Sequence, residues 1–252
     1  MLSVTSIQLE SWISAYAWPF LRILALFSAA PLFNQRAVPT RLKIGLAALL
    51  ALVVVPALPQ PPAADTAWLV FQQLAIGFAI GLALHVMFAA FSVAGDLLGL
   101  QMGLSFASFI DPQRNQPEPI VGSFLGLLAT LVFLSMNGHL ILIAGIAESF
   151  RAIPVGAELP LASDWKGLAL LGGMLFSLGV HLALPVLATM LILNLALGVL
   201  ARVSPQLNLF AVGFPATILV GLIALALAMP LMGPFLESAL ERGVAAAFSI
   251  GR

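Results

Sequence analysis

Two charged side chains, Arg22 and Asp96, stand inside long apolar stretches of this sequence, and any chemistry should be sought there first. A carboxylate at mid-depth of a lipid-facing helix costs roughly 2.5 to 3.5 kcal/mol on insertion scales, so Asp96 is expected to face protein, water or a counter-charge. Three roles stay open for it: a proton or ion site, an internal pair with Arg22, or a polar contact that fixes packing. Beyond it, Gln101, Ser105 and Ser108 follow at offsets of four and three and share one stripe of a helix. Such a stripe suits an aqueous path and interhelical hydrogen bonds equally well. The chain then breaks into DPQRNQPEP, Asp111 to Pro119, where Pro112, Pro117 and Pro119 lack amide hydrogens and forbid a continuous helix. That loop is either a surface connector or irregular backbone inside a water-filled cavity.

Catalytic groupings are missing from the sequence. His85, His139 and His181 lie far apart, and none has a second histidine or a carboxylate at metal-ligand spacing. There is no HExxH, no phosphate-cradling glycine loop with its lysine, no GxGxxG and no GxSxG. The absence of cysteine removes thiolate catalysis, disulfides and cysteine-held metals together. Lysine plus arginine and aspartate plus glutamate balance at ten each, which leaves no basic face for nucleic acid. A non-enzymatic protein without metal or cofactor is expected.

The elements that must position Arg22 and Asp96 are membrane helices. The chain is 62% hydrophobic and 8% charged, against roughly 25% charged in an ordinary soluble domain. Mean hydropathy is +1.12. Strand-type alternation is absent, so helices must satisfy the backbone, and an all-α integral membrane protein is expected. Apolar runs cover Trp12 to Phe33, Ile44 to Val55, Trp68 to Ile110, Ile120 to Ala147, Gly167 to Leu200 and Leu207 to Met232. As one straight helix the third would be roughly 65 Å long, about twice the hydrocarbon core, so it must bend, hairpin or leave the bilayer. The polar connector Glu148 to Lys166 marks a domain boundary. Arg36, Arg41 and Lys43 favour a cytoplasmic first connector, and no basic residue precedes the first apolar run, so no cleaved signal peptide is expected. Gly77 and Gly81, then Gly95, Gly99 and Gly103, then Gly122 and Gly126 recur every four residues and place smooth faces on helices, for packing within the chain or against other subunits.

Three stretches, GDLLGLQMGLSFASFIDP (95–112), MNGHL (136–140) and RVSPQLNLFAVGFP (202–215), carry a recognisable pattern. Together with Arg22, Pro31-Leu32-Phe33 and the Pro39, Arg41 and Lys43 segment, they resemble the FliR family, the R subunit of the flagellar type III protein export gate. The resemblance covers essentially the whole chain.

That resemblance implies bent helical hairpins forming one subunit of a helical pore assembly, in which one R copy joins P and Q subunits in the bacterial inner membrane, within the flagellar basal body. It implies a P-like part over residues 1–160 and a Q-like hairpin with a tail over 161–252. Unfolded flagellar proteins and rod proteins would be the passengers or neighbours of such a pore, and an FlhB-like switch subunit would wrap its entrance. The loop Asp111, Pro112, Gln113, Arg114, Asn115, Gln116, Pro117, Glu118 and Pro119 matches the family's plug, with Phe106, Phe109 and Ile110 as constriction residues. Arg22, Asp96 and Gln101 become buried polar contacts, and the seven glycines become subunit-packing positions. Arg202, Pro205, Gln206 and Asn208 fall on a cytoplasmic turn, where they contact the switch subunit or simply cap two helices. Two other readings are a virulence type III secretion homologue of the same subunit and a small-solute secondary transporter built around Asp96 and Arg22.

Overall fold

The computed structural model describes residues 6–33, 38–58, 66–104, 119–157, 162–204, 206 and 209–248. Every regular element among them is a helix: α1 (Ser6–Ala29), α2 (Thr40–Val54) with a 3-10 turn at Val55–Ala57, α3 (Thr66–Gln101), α4 (Ile120–Ser135), α5 (Gly138–Ala152), α6 (Ala162–Val203) and α7 (Leu209–Phe248). Three of these, α3, α6 and α7, contain stretches long and apolar enough to cross a membrane, and the broken pair α4 and α5 supplies a fourth if it counts as one span. The chain is an all-α integral membrane protein.

Local chemistry explains the helix ends. The apolar run from Trp68 stops being helical at Gln101 because Gly103 adopts a left-handed conformation, φ 78°. There Leu104 N–H donates to Gly99 O at 2.9 Å and Gly103 N–H to Leu100 O at 3.1 Å, the two bonds of a Schellman cap. Gly103, expected as a packing glycine, terminates the helix instead. Even so, the 36 residues of α3 span about 54 Å, longer than a hydrocarbon core.

The run expected from Ile120 to Ala147 is two helices. Asn137, at φ 57°, is left-handed, a conformation asparagine tolerates better than most side chains. Its carbonyl accepts from Leu140 and Ile141 N–H and starts α5 anew. Likewise α5 runs past Glu148 to Ala152, so the connector is shorter than the polar composition implied. Prolines 19, 185, 215, 230 and 234 all sit inside helices, where a membrane helix can tolerate them.

Two compact units emerge: residues 1–86, 137–171 and 241–252 in the first, 87–136 and 172–240 in the second. In the first, α1 packs on α2 and on the N-terminal part of α3 around Ile23, Leu26, Phe27, Ile76 and Ile80. Gly77 and Gly81 make this possible. A side chain at Gly77 would overlap the Arg22 carbonyl, and one at Gly81 would come within 2.7 Å of Ala29 Cβ and Leu26 O. In the second unit α3 and α4 cross at Gly95 and Gly122, backbone against backbone, and Phe88 meets Phe133 edge to face at 5.7 Å. Four of the glycines expected at subunit interfaces, 77, 81, 95 and 122, are therefore occupied by the chain's own helices. Gly126 differs, because a Cβ there would meet nothing within 4 Å.

Candidate functional site

Ser105 to Glu118 lie outside the described residues, and with them Phe106, Phe109, Ile110 and Asp111 to Glu118 of the expected plug. The two roots of that loop are described, and both are anchored in the second unit. At the first root Met102 is fully buried, and Gly221 of α7 leaves room for its side chain: a Cβ on Gly221 would crowd the Met102 side chain. Thr217 Oγ1, one turn earlier on α7, points its hydroxyl at the Met102 carbonyl at 3.2 Å and at the Phe214 carbonyl at 2.9 Å. Gln101 Oε1 accepts from Asn194 Nδ2 of α6 at 3.2 Å. The second root is Pro119, extended at φ −63° and ψ 117°, whose carbonyl accepts from Ser123 N–H and opens α4. Three residues on, Gly122 rests on Gly95. The first root is thus tied by hydrogen bonds to α6 and α7, and the second leads into a helix held by the close backbone contact of Gly122 with Gly95.

The second polar site lies in the first unit, where Arg22 is 1% exposed. Its guanidinium is spread over four acceptor oxygens on three residues. Nε donates to Gln73 Oε1 at 2.8 Å, one terminal nitrogen to Ser149 O at 2.9 Å and Ser149 Oγ at 3.3 Å, and the other to Ile153 O at 2.9 Å. The cation also lies over the Phe150 ring, 4.0 Å from its centre. Gln73 Nε2 passes the chain on to Gln72 Oε1 at 2.8 Å, and Gln72 in turn holds the Gly156 N–H and the Ala157 carbonyl. Both glutamines are fully buried. No acceptor in this cradle is a carboxylate. Compensation comes instead from neutral oxygens at the C-terminal end of α5, the negative end of its dipole.

Arg22, expected to pair with Asp96, is held instead by neutral acceptors within its own unit. Asp96 and Gln101, expected as buried contacts, are both exposed on α3. Because the Schellman cap ends α3 at Gln101, Asp96 falls in the last two turns of the helix. Pro205 and Asn208 lie outside the described residues. Arg202, in the last turn of α6 where a cation complements the dipole, and Gln206 are exposed.

Sequence reasoning missed Gln72, Gln73, Ser149, Asn194, Thr217 and Gly221. Gln72 and Gln73 carried a usable signal, two adjacent amides inside an apolar run, since a buried amide requires partners. Ser149 and Asn194 carried none, because their partners lie 127 and 93 residues away. Among the described residues no group of three or more His, Asp or Glu side chains is placed to hold a metal.

The cradle and the loop roots fix backbone segments. Comparison with known proteins fits this character. The model of the bacterial export proteins, family 1, matches residues 13–243. The flagellar biosynthetic protein FliR of Pectobacterium carotovorum subsp. carotovorum is 46% identical over 241 residues, covering 94% of this chain and 92% of its own. That of Escherichia coli (strain K12) is 46% identical with the same coverages, and that of Bacillus subtilis (strain 168) is 36% identical over 85% of this chain and 86% of its own.

Proposed function

The chain belongs to the first family of bacterial export proteins, and from that membership we propose that it is the R-type subunit of the flagellar type III export gate. It is a component of the flagellar protein-export apparatus in the bacterial inner membrane. In the finer reading one copy joins P and Q subunits to line a pore for unfolded flagellar proteins, without catalysing a reaction. The observation that carries this is the match over nearly the whole chain to relatives named for flagellar biosynthesis. An assembled role is also supported by the outer faces of α6 and α7, where Leu191, Ile192, Leu195, Val199, Leu227 and Leu231 are all more than 60% exposed. A helix apolar on all sides belongs in lipid or inside an assembly.

Residues 1–160 then act as a P-like part and 161–252 as a Q-like hairpin. The loop from Asp111 to Pro119, with Phe106, Phe109 and Ile110, is the plug. A pore wide enough for an unfolded chain leaks ions unless filled, and a short loop tethered at two firm roots can move while the wall stays intact. The turn containing Arg202 and Gln206 faces the cytoplasm and the FlhB-like switch subunit. Deleting Gln113 to Glu118 tests the plug: the complex should still assemble and should conduct small ions in a planar bilayer. Unchanged conductance in a correctly assembled deletion complex contradicts it.

A further inference from the structure

Asp96 is exposed on a span of high hydropathy, and in its own unit it has neither a hydrogen bond nor an ion pair among the described residues. The one described cation of that unit, Arg202, sits in the last turn of α6. Arg22, the other charge inside an apolar run, is already held by Gln73, Ser149 and Ile153 in the first unit. A carboxylate on the outer face of an apolar helix is poorly tolerated by lipid, and ionised groups in such helices usually pair or face water. The outer face around it is largely apolar, with Leu100, one turn later on α3, 60% exposed. Ser92, one turn earlier on α3, is exposed, and α3 meets α4 through the Gly95 and Gly122 crossing. One turn beyond Gly122, Gly126 leaves open space where another helix can approach closely.

We infer that Asp96 marks an interaction surface whose occupant is a lysine or arginine side chain on an apolar helix of a neighbouring subunit. Charge complementarity selects the partner: the chain brings a carboxylate without a counter-charge to an apolar outer face, and a cation carried by another polypeptide neutralises it. Exposed Ser92, one turn before Asp96 on α3, leaves only a small side chain where that helix must approach. The inference rests on the export-gate reading, which supplies the neighbouring subunits.

The test uses the chain co-expressed with its P and Q subunits. Asp96→Asn keeps size and polarity, and because Asp96 has no partner in its own unit the variant chain in detergent should melt at the wild-type temperature. In the complex, Asp96→Asn and Asp96→Ala should each lower recovery of the chain with its neighbours by at least about tenfold, while Asp96→Glu retains it. Asp96→Lys should abolish assembly and be rescued by a lysine- or arginine-to-glutamate change in a neighbour, located by cross-linking. Wild-type recovery of the Asp96→Asn complex overturns the inference: altered conductance would then identify an aqueous lining, and unaltered conductance a lipid-facing position. If the wild-type chain itself recovers no neighbours, it is the export-gate reading that fails.

Discussion

Arg22 Nε donates to Gln73 Oε1 at 2.8 Å across 51 residues of sequence, at a crossing where Gly77 brings the α3 backbone against the Arg22 carbonyl. The two contacts serve different ends. Gly77 fixes how closely α1 and α3 approach, and Gln73 fixes where the guanidinium goes once they have. The remaining nitrogens then reach the end of α5, so one side chain ties three helices together.

Arg22→Met should therefore be costly. It leaves buried acceptors at Ser149, Ile153 and Gln73 unsatisfied, and a loss of about 3 to 5 kcal/mol is expected. Arg22→Lys should recover little of this, because an ammonium cannot present a planar fork to acceptors on two sides. Gln73→Leu alone should cost about 1 to 3 kcal/mol, with coupling to Arg22 visible in a double-mutant cycle. Unfolding of the purified chain in mild detergent measures all of these. Near-zero coupling would show that the observed bond is energetically idle.

Gln72 gives a local prediction. Its amide holds Gly156 and Ala157, so Gln72→Leu should free the segment after Ile153 and increase its hydrogen exchange while α1 and α2 stay protected. Unchanged exchange at 154–157 would contradict that role. Gly156→Ala should loosen the same segment, since φ there is 84° and a side chain costs about 1 to 2 kcal/mol in that region.

The glycine pair at the loop root separates internal from external packing. Gly95→Val drives a branched side chain into the Gly122 backbone and should prevent the second unit from folding, read as loss of monodisperse protein. Gly126→Ala should be neutral, or stabilise the isolated chain by up to about 1 kcal/mol, because it meets open space in a helix. Gly126→Leu should leave the isolated chain intact and disrupt assembly with other subunits. Full assembly of the leucine variant would place that face in lipid.

Asn137 tests the break between α4 and α5. Asn137→Gly should be tolerated, because glycine reaches φ 57° freely, whereas Asn137→Val should cost about 1 to 2 kcal/mol or straighten the chain into one helix. Thermal unfolding in detergent distinguishes them, and equal melting temperatures would remove the break from the account.

Much of the architecture was legible in the sequence. Composition identified a helical membrane protein, and the apolar runs located the helices to within a few residues except where single residues redirect them and at α7, which continues past Met232 to Phe248. Gly103 and Asn137 did that redirecting. Both carried signals, a glycine at the foot of an apolar run and an Asn-Gly dipeptide, but periodicity alone does not distinguish a packing glycine from a terminating one. Arg22 was legible as an anomaly, yet its cradle was not. The nearest carboxylate in kind, Asp96, looked like its partner, while the actual acceptors were neutral and included backbone carbonyls that no sequence pattern marks. The anchorage of Gln101 and Met102 to Asn194, Thr217 and Gly221 depends on packing between distant segments.

Co-expression with P and Q subunits, followed by native mass spectrometry of the purified material, tests the central claim most directly. The export-gate account predicts one defined complex containing a single copy of this chain together with several P and Q subunits. A chain that ignores both subunits and carries out solute transport unaided would contradict it.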